Sequence, residues 1–363
     1  MDSKEAKAAV DLEAMVAENS GVVLDSKAKV CRQSGLWQPQ LIMPHRLRME
    51  FPWWKQHASW EVCNLIAQGL QADRPLPVTL SCHPCVRSQE DTQLALEVLK
   101  EYVEVGAVTV IHESMARHLI PWFLIKKLKG EKTKLRLISD CRELNQFFKY
   151  QPFRLDNWSN IFPVLRQGMW AAKLDLRHAY FHLRLRRELK PFVCLKLGNQ
   201  TFQFQSACFR LAPLPHHWQQ LMKTFLKRWR QLGILVWIYL DDILLVGNSA
   251  SAVRSHVRHV LTDMDDAGLI VNKEKSILDP VQELDHLGFH LNLKEGLLQV
   301  PSSKLKMVRR ELGKLCTHES ISARKMAAIL GSTRAFLMAM PFLRAFADQT
   351  VQFVAHHSLQ SWD

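Results

Sequence analysis

The chain has 363 residues, 47% of them hydrophobic and 23% charged, with a formal net charge of +13. That composition excludes an acidic or disordered chain and gives enough length to bury more than one core. The positive surplus favours a polyanionic partner such as nucleic acid.

The first 20 residues are charged and lack an apolar centre, so no secretory signal is expected. No apolar run reaches the ~18 residues of a membrane span. An intracellular protein of cytoplasm or nucleus, without a membrane anchor, is expected. Eight cysteines lie mostly in isolation among apolar residues, as buried free thiols do. Cys82 and Cys85 form one Cys-His-Pro-Cys pair, but a zinc site needs a second pair or two matching histidines.

Residues 1–35 are polar and weakly periodic and read as a flexible leader. Residues 36–89 form an extension rich in Trp and Pro, with irregular structure and short helices expected, one of them over Ala58–Leu70. A helix over 90–105 opens on acidic residues and stops at Gly106. Strands are expected at Ala107–Ile111, Trp122–Ile125 and Leu135–Asp140. Between the last two, residues 126–134 hold five lysines around Gly130. This stretch reads either as a solvated hairpin tip or as a mobile phosphate-gripping loop, and Arg136 beside it favours the second.

A helix over 155–167 and a strand over Trp170–Leu176 follow, then a strand pair of His182–Leu185 with Phe192–Leu197. Ala212–Leu232 reads as a helix. Ile234–Tyr239 and Ile243–Val246 form a hairpin bent at Asp241 and Asp242, and Ser251–Ala267 is a helix closed by Gly268. From 302 to 356 the chain turns helical, with Lys304, Lys306, Arg309 and Arg310 around one apolar face. That basic helix fits a duplex phosphate track and an ordinary solvated face equally well. Strands and helices alternate without a parallel rhythm, so the class is α+β.

Two adjacent carboxylates between apolar strands are costly to bury, and make sense at a turn that binds divalent cations. A second carboxylate, Asp175, ends an earlier strand. Bringing Asp175 beside Asp241 would clamp two cations about 3.5–4 Å apart, able to activate a hydroxyl and stabilise a leaving phosphate oxygen.

From about Leu99 to Gly288 the chain resembles the retroelement reverse transcriptases, motif by motif and in order. EVGAVTVIHES and IPWFLIKKLKGEKTKLRLISDCRELNQF resemble their fingers, GMWAAKLDLRHAYFHLRL the first palm motif and YLDD the third. AGLIVNKEKS resembles the fourth, and LDHLGFHL the fifth, where palm meets thumb. FRLAPLPHHWQQLM, WWKQHASWEVCNLIAQGL and AAILGSTRAFLMAMPFLRAF most resemble the tyrosine-recombinase (DIRS-like) retrotransposons and their trypanosomatid relatives.

The resemblance implies a right-hand polymerase fold, with fingers at 90–168, palm at 169–289 (a fingers insertion near 186–212) and a helical thumb at 290–363. It implies an RNA-directed DNA polymerase that takes a primed RNA or DNA template and deoxynucleoside triphosphates, with two Mg2+ or Mn2+ ions. Asp175, Leu176, Asp241 and Asp242 would hold the metals, with Asp175, Asp241, Asp242 and Lys275 catalytic. Lys127 (or Lys129) and Arg136 would hold the triphosphate, and Asp140 and Arg142 would lie near the template. Tyr180, five residues after Asp175, would be the gate against a ribose 2′-OH. Phe209 and Arg210 would line the nucleotide site. The family has Gly where this chain has Arg210, which adds bulk and charge. Two other readings remain: a degenerate polymerase that only binds nucleic acid, and an RNA-dependent RNA polymerase. His216, His217, Trp53 and Trp54 read as packing or surface groups. No ribonuclease H pattern follows, and members of the family are often parts of larger polyproteins.

Overall fold

A computed structural model describes residues 43–81, 87–129, 132–317, 322–334 and 336–340, and beyond them 344, 348, 351, 352, 355 and 356. Side chains are described within that set except at 127–129, 132–134, 314–317 and 323. The expected leader, Trp37 and the Cys82–Cys85 pair lie outside the described residues.

The helices are α1 (Arg46–Met49), α2 (Phe51–His57), α3 (Trp60–Gln68), α4 (Gln89–Glu104), α5 (Trp158–Ile161), α6 (Leu214–Gln231), α7 (Ala250–Asp266), α8 (Ser302–Thr317) and α9 (Ala323–Arg334). The strands are β1 (Val108–Ile111), β2 (Trp122–Lys129), β3 (Lys132–Ser139), β4 (Trp170–Asp175), β5 (Cys194–Leu197) and β6 (Gln200–Phe204). They continue with β7 (Leu235–Tyr239), β8 (Asp242–Gly247), β9 (Ile277–Val281), β10 (Glu283–His286), β11 (Phe289–Asn292) and β12 (Leu297–Gln299). Two compact units divide the chain: residues 1–154, 175–232 and 259–272 in the first, and 155–174, 233–258 and 273–363 in the second.

The first unit holds an antiparallel sheet in the order β1-β6-β5 and a separate β2-β3 ribbon. Helix α4 starts on Ser88, whose hydroxyl accepts from the Asp91 N–H at 3.1 Å, and Glu90 and Asp91 fill its first turn. Those two carboxylates hold the Lys126 ammonium at 2.9 and 3.0 Å. The stretch expected to loop from 126 to 134 is mostly paired strand. Residues 126–129 and 132–134 continue the two strands, in register down to Lys129 opposite Lys132. Alternation sends successive lysines to opposite faces of a ribbon, so a lysine-rich run pairs as readily as it loops.

The core of this unit is aromatic. Helix α6 buries Leu214, Trp218, Leu221, Met222, Phe225 and Trp229 along one face, at helical spacing. Trp53 stacks on Phe225 at 5.0 Å, and the Trp54 indole N–H donates to the Ala267 carbonyl at 2.9 Å. Trp53 and Trp54 thus pack, as expected, on α2, a short helix of the kind expected in this stretch. Gly268 has φ +83°, and a Cβ there would lie 2.7 Å from the Arg46 carbonyl oxygen, so only glycine lets α7 close against α1. Cys63, Cys141, Cys194 and Cys208 are buried free thiols, as expected.

The second unit has a four-stranded sheet in the order β7-β8-β4-β9 and a three-stranded one in the order β10-β11-β12. Its core joins Trp158, Ile161, Met169, Trp237, Leu244, Leu291, Leu298, Val308 and Phe336. The helix expected over 155–167 shrinks to α5 and a 3-10 turn at Phe162–Val164, because Pro163 cannot continue the hydrogen-bond ladder. The strand expected at His182–Leu185 is instead a 3-10 turn over Ala179–His182, followed by isolated bridges of Arg184 to Ser206 and Leu185 to Leu70. The partner of β5 is β6, not that stretch. Among the described residues no helix is long and apolar enough to cross a membrane.

The first unit also carries a pH sensitivity. Burial pushes the His182 imidazole down to about 3. Its Nδ1–H donates to the Ala179 carbonyl at 3.0 Å, while Nε2 accepts from the Ile270 N–H at 3.2 Å. Those partners need the neutral ring, whereas an unfolded histidine takes up a proton near its usual pKa of about 6.5. The stabilisation is therefore complete above about pH 6.5 and is lost as pH falls from there toward 3. Burial with neighbouring cations pushes His45 down to about 4, in the same direction. Urea unfolding at pH 7 and pH 5 is expected to show the acid loss. His182→Gln is expected to remove up to about 1.4 kcal/mol per pH unit of that slope.

Candidate active site

The hairpin of β7 and β8 pairs Tyr239 with Asp242, which leaves Leu240 and Asp241 as a two-residue loop. Leu240 has φ +55°, a value that such loops usually give to glycine or asparagine. Asp241 is exposed at the tip and Asp242 is partly exposed at the start of β8. The Asp156 carboxylate accepts from the Ile238 N–H at 3.3 Å and braces the approach to the turn.

Strand β4 lies beside β8 in the sheet and ends on Asp175. Two residues earlier, the Lys173 ammonium pairs with the Asp242 carboxylate at 3.1 Å. Alternation puts Lys173 and Asp175 on the same face of β4. Asp175 is partly buried, its carbonyl accepts from the Asn272 N–H at 2.7 Å, and the buried Leu176 bridges to Val271. Lys173 was not picked out from sequence; the signal available was its place two residues before an expected strand-end carboxylate.

The residues expected to face the nucleotide and the template lie in the first unit. Tyr180 lies with its ring 5.2 Å from that of Phe209 and 5.9 Å from that of Trp218. Arg142 grips Asp140 with three contacts, at 2.9, 3.1 and 2.6 Å. That guanidinium holds the Asp140 carboxyl below its ordinary value, and the positive charge of Arg210 adds to the effect. Asn145, also missed in sequence, staples the 209–212 turn. Its amide donates to the Arg210 carbonyl at 2.9 Å and its oxygen accepts from the Ala212 N–H at 2.8 Å.

Arg210 has φ +82°. The backbone thus adopts the conformation of the glycine that the motif leads one to expect, with an arginine in its place. Among the described residues only His178, Arg210, Leu240 and Leu287 combine a side chain with positive φ, and the first three adjoin the candidate site residues. Strained backbone of this kind concentrates where function fixes geometry. Arg210→Gly is expected to raise unfolding stability by up to about 1 kcal/mol, as relief of the strain outweighs the added chain entropy. Chemical denaturation reads that gain.

Arg136 is exposed on β3 opposite Ile125, and Lys275 is exposed in the turn ahead of β9. The side chains of Lys127 and Lys129 lie outside the described residues. Among the described residues no group of three or more His, Cys, Asp or Glu side chains is gathered to hold a metal ion.

The mixed helices and antiparallel sheets are those of the right-hand polymerase fold. Residues 125–291 match the family model described as reverse transcriptase (RNA-dependent DNA polymerase). The Transposon Tf2-3 polyprotein of Schizosaccharomyces pombe is 25% identical over 249 residues, which cover 67% of this chain and 17% of that one. The Transposon Tf2-7 polyprotein of the same yeast is 24% identical over the same length. The chain therefore spans about 17% of the length of these curated relatives. A foamy viral protease-reverse transcriptase solved with double-stranded DNA matches with TM-score 0.58 and 16% identity, covering 83% of this chain and 55% of that one. Another such complex matches with TM-score 0.57 and 14% identity, over 96% of this chain and 71% of that one. The chain thus shares the right-hand polymerase fold of these solved proteins, and its residues 125–291 are similar to the reverse transcriptase family.

Proposed function

We propose that the chain is the polymerase portion of a retrotransposon reverse transcriptase, copying a primed RNA or DNA template with deoxynucleoside triphosphates. The observation that carries this reading is the β7–β8 turn, which exposes Asp241 and starts β8 on Asp242, beside a strand that ends on Asp175. In this reading 90–168 act as fingers, 169–289 as palm and 290–363 as thumb. The motifs quoted above support a tyrosine-recombinase-type retrotransposon origin.

The carboxylates fit a pair of Mg2+ or Mn2+ ions. They are hard oxygen donors, and Asp242 already draws a cation, the Lys173 ammonium, to 3.1 Å. Bound there, such ions supply Lewis acidity to the attacking hydroxyl and to the leaving phosphate oxygen. The side chains of Asp175, Asp241 and Asp242 and the backbone of Leu176 would hold them. Lys127 or Lys129 and Arg136 neutralise the triphosphate, with Arg210 reaching toward it from the 209–212 turn. Asp140 and Arg142 position the template, and Phe209 packs the Tyr180 ring where the sugar sits. The primer 3′-OH attacks the α-phosphate and pyrophosphate leaves, with Lys275 delivering a proton to it.

A second reading rests on Arg210: its bulk at a glycine position leaves a fold that binds primer–template without extending it. Primer extension on RNA and DNA templates, with deoxy- and ribonucleotides compared, decides between them. Extension with deoxynucleotides supports the polymerase. Salt-dependent binding without any incorporation supports the second reading.

A further inference from the structure

The chain turns from Asp175 toward Tyr180 on a strained residue. His178 has φ +45° and ψ +48°, the left-handed conformation that a side chain makes costly. Such a conformation persists only where its surroundings over-determine it. His178 stands just ahead of the Ala179–His182 turn, and its carbonyl accepts from the Phe181 N–H at 2.8 Å. The direction in which Tyr180 leaves the backbone therefore follows the His178 dihedral angles.

The hold on His178 comes from helix α4, 77 positions earlier. The imidazole Nε2–H donates to the Glu101 carboxylate at 2.8 Å. The His178 side chain is only 19% exposed, so water competes little for that bond. The Arg177 guanidinium lies 3.8 Å from the same carboxylate oxygen, but both of those side chains are half exposed, where an ion pair contributes little. The His178 imidazole also stacks on the buried Phe181 ring, at 5.4 Å with 19° between the planes. Phe181 in turn meets Tyr102, the neighbour of Glu101 on α4, at 4.8 Å, and Phe209 at 6.3 Å. Phe209 is the ring that lies 5.2 Å from Tyr180. One helix thus grips the turn twice, by a carboxylate at its strained residue and by a ring at its buried phenylalanine.

We propose that Glu101 is a positioning residue for the Tyr180 ring, acting through His178 to set how sharply the site separates deoxyribonucleotides from ribonucleotides. This rests on Tyr180 serving as the sugar gate. Without the Glu101 bond, the left-handed turn loses a contact that offsets its strain. The wall that Tyr180 presents then shifts while keeping its ring. A shifted wall discriminates less well than a fixed one and better than none.

Single-nucleotide incorporation with both sugars by the full chain tests this, alongside hydrogen exchange at the Phe181 amide. Glu101→Met removes the acceptor and keeps the side-chain length. It is expected to raise ribonucleotide use relative to deoxynucleotide use by roughly 3–10-fold, and to speed Phe181 exchange. Glu101→Gln keeps an acceptor oxygen for His178 but loses the charge facing Arg177, and is expected to retain the parent ratio. Adding Glu101→Met to Tyr180→Val is expected to leave the ratio of Tyr180→Val unchanged, because no ring remains to be positioned. Should Glu101→Met not fold, His178→Asn serves the same comparison, since asparagine tolerates the left-handed conformation and lacks the imidazole. The proposal is overturned if the parent discriminates and the variant lacking the Glu101–His178 bond keeps both its ratio and its Phe181 exchange. It is also overturned if Glu101→Gln behaves as Glu101→Met does, or if Glu101→Met shifts the ratio equally with and without Tyr180. A parent that incorporates neither sugar overturns the polymerase reading itself, and the gate with it, so the two failures are told apart.

Discussion

Asp241→Asn is expected to slow extension of a primed RNA template by about 10³-fold or more while leaving the fold intact. Asp241 is exposed in a two-residue loop, so the substitution disturbs no packing. Asp175→Asn is expected to behave alike. Its segment is held through the backbone, by the Asn272 bond and the Leu176–Val271 bridge, which amidation leaves in place. Asp242→Asn is expected to differ. It strands the Lys173 ammonium, which is 19% exposed, and should cost about 1–3 kcal/mol of stability besides activity. Extension assays paired with urea unfolding separate the three. Undiminished extension by Asp241→Asn or Asp175→Asn would sink the polymerase assignment.

Tyr180→Val is expected to raise ribonucleotide use relative to deoxynucleotide use by roughly 10²-fold. The ring is held against Phe209 and Trp218, so it forms a fixed wall rather than a movable flap. Tyr180→Phe keeps the wall and is expected to keep the discrimination. Single-nucleotide incorporation with the two sugars measures both. Equal discrimination by Tyr180→Val and the parent would remove Tyr180 from the gate.

The hairpin at Asp241 and Asp242 was legible in the sequence, because apolar strands flank a polar pair and local alternation fixes the turn. Helices α4, α6 and α7 were legible for the same reason, to within a few residues at their ends. Strand β6 was not. Gln200–Phe204 looks polar, yet Thr201 and Gln203 are buried by pairing with β1 and β5. The length of the lysine ribbon was missed because a charged run gives no local sign of pairing, and Lys126 finds Glu90 and Asp91 some 35 residues away. Lys173 and Asn145 were missed on the same ground. Each acts through a partner more than 60 positions distant. The glycine-like backbone at Arg210 could be suspected from the motif, but only the φ angle reveals that the arginine keeps it.

Under the proposed two-metal reading, a divalent ion arriving at Asp242 would enter by exchange with the tethered Lys173 ammonium, not by joining a bare carboxylate. Resting protein is thereby spared a concentrated negative charge in its sheet. Affinity for the incoming ion becomes a competition that the length and position of one lysine set.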